Sequence, residues 1–198
     1  MSSKHAQTLS KVVLGLLFLY FIYLFSQAIE VVNHRHIGTK EGTYINNSRE
    51  NIYLQNLAEE LTKNCQNDVC KVQNILDYVT NIPYKINHFQ AHSPQKTIQN
   101  NFGDCDDKSN LLISLLHEKK MESYFVLVPK HIFVIVALKQ NLSRKGLYLN
   151  GQKYYILEST AKGSKIGFPL QYSFHEIDAI IEPFENKKID IQQLEWKL

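Results

Sequence analysis

The chain has 198 residues, 44% of them hydrophobic and 21% charged, and a formal net charge of +3. That composition fits one globular domain with a small additional segment and excludes a disordered chain, a collagen-like fibre and a polytopic membrane protein. No run of lysine and arginine interleaved with aromatics points to nucleic acid, and three cysteines are too few for a disulfide framework.

The N-terminus carries the first strong signal. Val12 to Phe25 is a fourteen-residue stretch without a charge, preceded by Lys4 and Lys11. A membrane span needs about 20 apolar residues, a length reached when Ser26 to Ile29 are added. Tyr20, Tyr23 and the bulky phenylalanines resemble a span with interfacial aromatics. Residues 12–29 are therefore expected to be a transmembrane signal anchor behind a cytoplasmic stub at 1–11. A cleaved signal peptide is the alternative, because Ser26-Gln27-Ala28 has the small-x-small form of a cleavage site. Either way the remainder lies on the extracytoplasmic, periplasmic side. Residues 30–47 are polar, contain Gly38, Gly42 and Asn46-Asn47, and are expected to be a tether. The domain proper then spans 48–198.

In that domain, Ser48 is the expected N-cap of a helix over about 49–63, with Leu54, Leu57, Ala58 and Leu61 on one face. Val69, Val72, Ile75, Leu76 and Val79 predict a second helix over about 68–80, closed by Pro83. Ser93-Pro94 opens a short helical turn, which Gly103 breaks. A third helix starts at Asp104 or Cys105 and runs to about Lys119, burying Leu112, Leu115 and Leu116. The period then changes to that of strands: Tyr124–Val128, His131–Leu138, Lys153–Glu158 and Ala179–Ile181, with 142–151 as a loop. The nearly continuous apolar run of His131–Leu138 predicts a strand at the centre of a sheet covered on both faces. Helices first and antiparallel strands after them is an α+β order.

The chemistry gathers at Cys105. A glycine turn leads straight into a helix whose first turn holds the thiol. Free N–H groups and the positive dipole end stabilise a thiolate there, and the same N–H groups can serve as oxyanion donors. Asp104, Asp106 and Asp107 push the other way, so a nearby imidazole is needed to offset them. His131, at the head of the long strand, can supply it. Glu158 ends the strand Tyr154–Leu157. If the two strands pair antiparallel about a turn near 144–145, Glu158 stands opposite His131 and can orient its ring. No HExxH or CxxC is present, so zinc is not expected. Cys65 and Cys70 flank the junction of the first two helices. They are two buried thiols if the domain is cytoplasmic, or a short disulfide in the oxidising compartment that the N-terminal segment favours. The disulfide leaves Cys105 as the free thiol.

Three blocks in order resemble the transglutaminase-like superfamily, whose fold is related to papain-like cysteine proteases. They are Gly103-Asp104-Cys105-Asp106-Asp107-Lys108-Ser109 with Leu111-Leu112 behind it, His131-Ile132-Phe133-Val134, and Tyr154-Tyr155-Ile156-Leu157-Glu158-Ser159-Thr160. The resemblance covers about residues 50–161. It implies Cys105 as nucleophile, His131 as general base and acid, and Glu158 as the orienting acid, where most members have Asp. It also implies a side-chain oxyanion donor upstream of the cysteine, for which Gln95 and Gln99 are candidates. A periplasmic protease subgroup with a related motif binds calcium near the cysteine. Asp104, Asp106 and Asp107 could offer oxygens here, but three adjacent side chains cannot all converge on one ion. Helix capping and pairing with Lys108 is the preferred role, and no cofactor is expected. The resulting expectation is a membrane-tethered thiol enzyme working through a thioester on a protein or peptide, a peptidase or amidase when water takes the acyl group, or an acyl transferase when an amine does. The rival is a non-catalytic binding or assembly module with a cell-envelope partner.

Overall fold

The computed structural model describes residues 2–40, 42–87 and 91–198, the side chains of 2–5, 30–35 and 42 excepted. It divides into two units, Met1–His36 and Ile37–Leu198. The first is helix α1 (Ser2–Arg35). Within it, Ala6–Ile29 is long and apolar enough to cross a membrane: 24 residues at 1.5 Å each reach about 36 Å, against about 30 Å of hydrocarbon.

The second unit is the α+β domain. It opens on a small hairpin, β1 (His36–Thr39) and β2 (Gly42–Ile45). Here the expected tether is overturned from Ile37 onward. Ile37 and Tyr44 are buried in the main core, and Asn46 and Ser48 bond the Pro183 carbonyl. A polar, glycine-containing stretch reads as a linker when its partners lie far off in sequence, 44 to 140 residues away. For the same reason Ser48 is not a cap. Asn51 caps α2 (Ile52–Thr62), accepting the Leu54 N–H at 2.9 Å. Asn67 caps α3 (Asp68–Asn81) in the same way. Cys65 and Cys70 are bonded, S–S 1.99 Å, across the corner between these two helices. Ser93 and Pro94 start α4 (Pro94–Asn100).

Helix α5 (Cys105–Glu118) is the centre of the domain. Every residue from Asp107 to Leu116 is buried, so the helix is covered all round rather than on the expected leucine face alone. Its polar side chains must therefore find partners. Lys108 donates to the Ile82 carbonyl at 2.8 Å instead of pairing with an aspartate. Ser114 bonds the Asn110 carbonyl and takes the Arg49 N–H.

Against α5 lies a seven-stranded sheet in the order β8-β7-β3-β4-β6-β5-β9. Its strands are β3 (Ser123–Val128), β4 (His131–Val136), β5 (Gly146–Leu149), β6 (Gln152–Leu157), β7 (Ala179–Glu182), β8 (Lys187–Lys188) and β9 (Leu194–Lys197). All the pairings are antiparallel. β4 is central: Ile132, Val134 and Val136 face the helices, while Phe133 and Ile135 join a second core on the opposite face.

Three strands of this sheet, β5, β8 and β9, lie where a loop was expected or nothing was predicted. β5 falls inside 142–151 and pairs with β9, whose Trp196 sits across from Leu147. Consequently β4 and β6 are not a hairpin. The chain passes to β5 first and then turns back at Asn150-Gly151 to insert β6 beside β4.

Candidate active site

The start of α5 is set by local chemistry. Asp104 caps the helix, its Oδ1 accepting the Asp107 N–H and its Oδ2 the Asn87 N–H at 3.0 Å. Just before it, Gly103 lies where a Cβ would meet Asp107 Cβ at 2.6 Å and Thr97 Cγ2 at 3.2 Å. Its backbone also bonds Pro83 and Lys85 on the neighbouring segment. Space, not φ, demands glycine here. Gly103→Ala is expected to cost about 1–3 kcal/mol of stability through this overpacking, read as a lowered denaturation midpoint. An unchanged midpoint would show that the segment yields freely.

One turn below Cys105, Ser109 Oγ bonds the Ile132 carbonyl at 3.3 Å and meets Ser159 Oγ at 3.0 Å. This buried knot joins the three elements that carry Cys105, His131 and Glu158. His131 Nε2 lies 2.9 Å from Glu158 Oε2. Glu158 Oε1 is held by the backbone N–H and hydroxyl of Thr160, at 3.0 and 2.5 Å. Both carboxylate oxygens are thus fixed, and Nδ1 is left as the ring nitrogen for proton exchange. Burial alone would raise the Glu158 carboxyl. The hydrogen bonds from His131 and Thr160 outweigh it and hold the group below the ordinary glutamate range. Tyr172 stacks over His131 and Phe133, ring centroids 6.3 and 6.2 Å away.

Cys105 and His131 line one cavity of about 420 Å³. Its walls are the hairpin residues Thr39, Lys40, Thr43 and Tyr44, the β3–β4 turn, and His175, Glu176 and Asp178. Glu158 stands behind the imidazole, outside this cavity, in a smaller recess with Phe133 and Tyr172. The structure therefore brings the three sequence-predicted residues to one place. The register differs by two, however. The β4–β6 ladder pairs Val134 with Leu157 and Val136 with Tyr155, and continued outward it sets His131 across from Thr160. A shift of two keeps a side chain on the same face, so Glu158 reaches His131 diagonally.

The electrostatics run against a resting thiolate. Burial pushes the Cys105 thiol up to about 12, helped by the charges of Asp106 and Asp104, while backbone N–H groups of Asp106 and Ile132 pull weakly the other way. Asp106 Oδ1 lies 3.8 Å from the sulfur. Its own carboxyl is raised to about 6, first by burial and then by Asp104 and Asp107. Asp107 takes the His92 N–H. The three aspartates thus diverge, toward the helix cap, the thiol and His92, and do not fit a calcium site. Among the described residues no group of three such side chains is gathered around one point.

Gln95 and Gln99 are exposed on α4 and do not line the cavity. Tyr44 and Tyr172 are the site residues that sequence reasoning missed. Tyr44 sat in the supposed tether and Tyr172 between the predicted strands 153–158 and 179–181, and no local pattern marks either one.

Residues 55–128 match the family model of the transglutaminase-like superfamily. The match includes Cys105 and stops short of His131 and Glu158. Among solved structures, a "putative cysteine protease" from Cytophaga hutchinsonii is 23% identical with a TM-score of 0.43, covering 55% of this chain and 37% of that one. A "putative protease" from Parabacteroides distasonis is 15% identical with a TM-score of 0.45, covering 70% of this chain and 27% of that one. The chain thus spans well under half the length of either. No curated protein matches it.

Proposed function

The chain carries a transglutaminase-like superfamily domain, and from that premise we propose that it is a thiol enzyme, a cysteine peptidase or amidase working through a thioester. The observation that carries this reading is the His131–Glu158 pair at 2.9 Å, whose imidazole lines the cavity that holds Cys105. In the proposed reaction the Cys105 sulfur attacks the carbonyl carbon of a peptide or carboxamide as His131 Nδ1 takes the thiol proton. Glu158 holds the ring and stabilises its charged form. The tetrahedral intermediate collapses, the C–N bond breaks, and His131 returns the proton to the leaving amine. Water then adds to the thioester carbonyl, giving the acid and restoring the thiol. Because the thiol rests protonated, attack and proton transfer are coupled rather than starting from a preformed ion pair.

The proposed setting is extracytoplasmic, with 12–29 as the anchor behind a stub at 1–11. The apolar α1 and the Cys65–Cys70 disulfide support it. The substrate class, protein or peptide, follows from the same reading.

A second reading, a binding or assembly module, is favoured by the surroundings of Cys105: the sulfur is half-buried with the Asp106 carboxylate 3.8 Å away, and burial first and then that charge push the thiol up. The two separate on the reaction of Cys105 with 4-nitrophenyl acetate, followed by intact mass in wild type, Cys105→Ala and His131→Ala. The enzyme reading expects a transient acetyl adduct on wild type, absent from Cys105→Ala and slowed about 10²-fold or more in His131→Ala. Equal rates in wild type and His131→Ala, or no adduct, would leave the binding module.

A further inference from the structure

Five buried side-chain polar atoms lack a hydrogen-bond partner among the described residues. In a native fold such atoms call for a reason. Two of them, His92 Nδ1 and Asp107 Oδ2, face each other at 3.3 Å, and Ser164 Oγ belongs to a loop that does not line the Cys105 cavity. The remaining two are neighbours. Tyr44 Oη and Asn110 Nδ2 lie beside each other without closing a hydrogen bond, close enough to Cys105 and Asp106 to feel their charges.

Their orientations follow from chemistry. The Asn110 Oδ1 accepts the Asn47 N–H at 3.1 Å, which fixes the amide and turns its NH₂ group away from that contact. An NH₂ group can only donate, so toward Tyr44 it offers a donor, and the phenol oxygen is the acceptor beside it. Once that bond closes, the phenol proton has one direction left, away from Asn110. Tyr44 is 9% exposed, lines the Cys105 cavity and packs edge-on against Phe125. Burial, and then the Asp106 and Cys105 charges, hold its hydroxyl well above the ordinary phenol range. It therefore stays protonated, as a donor, across the working pH range.

We propose that the Tyr44 hydroxyl, braced by Asn110, donates a hydrogen bond to the carbonyl oxygen of the acyl group bound over Cys105. This deepens the thiol-enzyme reading and rests on it. It places a substrate contact on the N-terminal hairpin, outside the family-matched residues 55–128, and gives the unpaired hydroxyl its missing partner.

The test compares wild type, Tyr44→Phe and Cys105→Ala in the full chain, in detergent. Two reactions are timed at Cys105. Iodoacetamide displaces iodide at a saturated carbon, and no oxyanion forms. 4-Nitrophenyl acetate reacts at a carbonyl: the S–C bond forms, the C–O bond to nitrophenolate breaks, and the thiol proton leaves through His131. Tyr44→Phe is expected to slow acetylation by about 10²-fold, the usual loss for one oxyanion donor, while alkylation stays within about twofold. The unfolding midpoint should fall by no more than the loss of the one Asn110 contact, because phenylalanine keeps the buried ring. If acetylation is unchanged while wild type acetylates and Cys105→Ala does not, the Tyr44 inference is overturned and the thiol-enzyme reading stands. If both reactions slow equally, Tyr44 is structural and the inference fails. If wild type is not acetylated at all, both fall together.

Discussion

Asp106→Asn is expected to stabilise the domain at pH 7, by up to about 3 kcal/mol, and to leave it almost unchanged near pH 3. The Asp106 carboxyl is raised from 3.8 to about 6, by burial first and by Asp104 and Asp107 next, against smaller opposing contributions from Cys105 and His131. The folded state therefore keeps its proton over a window, from about pH 4 to 6, in which the unfolded chain has released it. In that window the folded state binds more protons, so stability falls as pH rises. By pH 7 the fold carries the whole cost of a buried carboxylate, at about 1.4 kcal/mol for each tenfold rise in proton affinity. An amide of the same shape carries none of it. The variant also removes the negative charge nearest the sulfur, 3.8 Å away, so the thiol should titrate lower. Alkylation of Cys105 at pH 7 should accelerate in proportion, about tenfold for a tenfold more acidic thiol. Denaturant titrations at pH 3 and 7, with iodoacetamide kinetics at pH 7, read both effects. Equal stabilities at the two pH values and an unchanged alkylation rate would mean that Asp106 is solvated and does not act on the thiol.

That same carboxylate marks a boundary of what the sequence discloses. The position of Cys105 was legible because its causes are local. A glycine excluded from bearing a Cβ, a capping aspartate and a thiol in the first helical turn stand within three residues of one another. The strand behind His131 was legible because an unbroken apolar run has one natural place, a sheet centre with cores on both faces. The pairing of His131 with Glu158 was legible for a different reason. The expected register was off by two residues, since β5 intervenes where a simple turn was read, yet the two-residue period of a strand keeps the side chains on one face. What stayed hidden depends on distant partners. β5 is four residues, Gly146 to Leu149, with too little apolar pattern to announce itself, and its strand character comes from pairing with β9 some fifty residues on. The hairpin before residue 46 is polar and glycine-containing. Distant partners such as the core residue Phe125, the Pro183 carbonyl and Asn186 make Tyr44 and Asn46 structural. Whether the thiol is made more or less acidic was likewise open at the sequence level. Burial is the largest influence on it, and burial is a property of the assembled domain.

The hairpin supplies the second large effect. A fragment beginning at residue 48, the boundary that composition alone recommends, is expected to be less stable than one beginning at residue 36 by about 4–6 kcal/mol. Ile37 and Tyr44, at 5% and 9% exposure, each contribute about 2–3 kcal/mol through burial. The shorter fragment also loses the Asn47 N–H bond to Asn110 and the Asn46 bonds to Pro183 and Asn186. That leaves the buried Asn110 carboxamide oxygen unpaired inside α5, a further cost. Small domains have about 5–15 kcal/mol in total, so the shorter fragment should be marginal at room temperature. Its site should change as well, because Thr39, Lys40, Thr43 and Tyr44 form one wall of the Cys105 cavity. Without that wall the sulfur is more accessible and less desolvated. Alkylation by iodoacetamide should then accelerate while acyl transfer is lost, a split that general unfolding at the sheet would not confine to the thiol. Urea titration of the two fragments, with both Cys105 reactions measured below the transition, decides the matter. Matching midpoints would return residues 36–47 to the role of a tether, whereas a large gap makes them a structural wall of the Cys105 cavity.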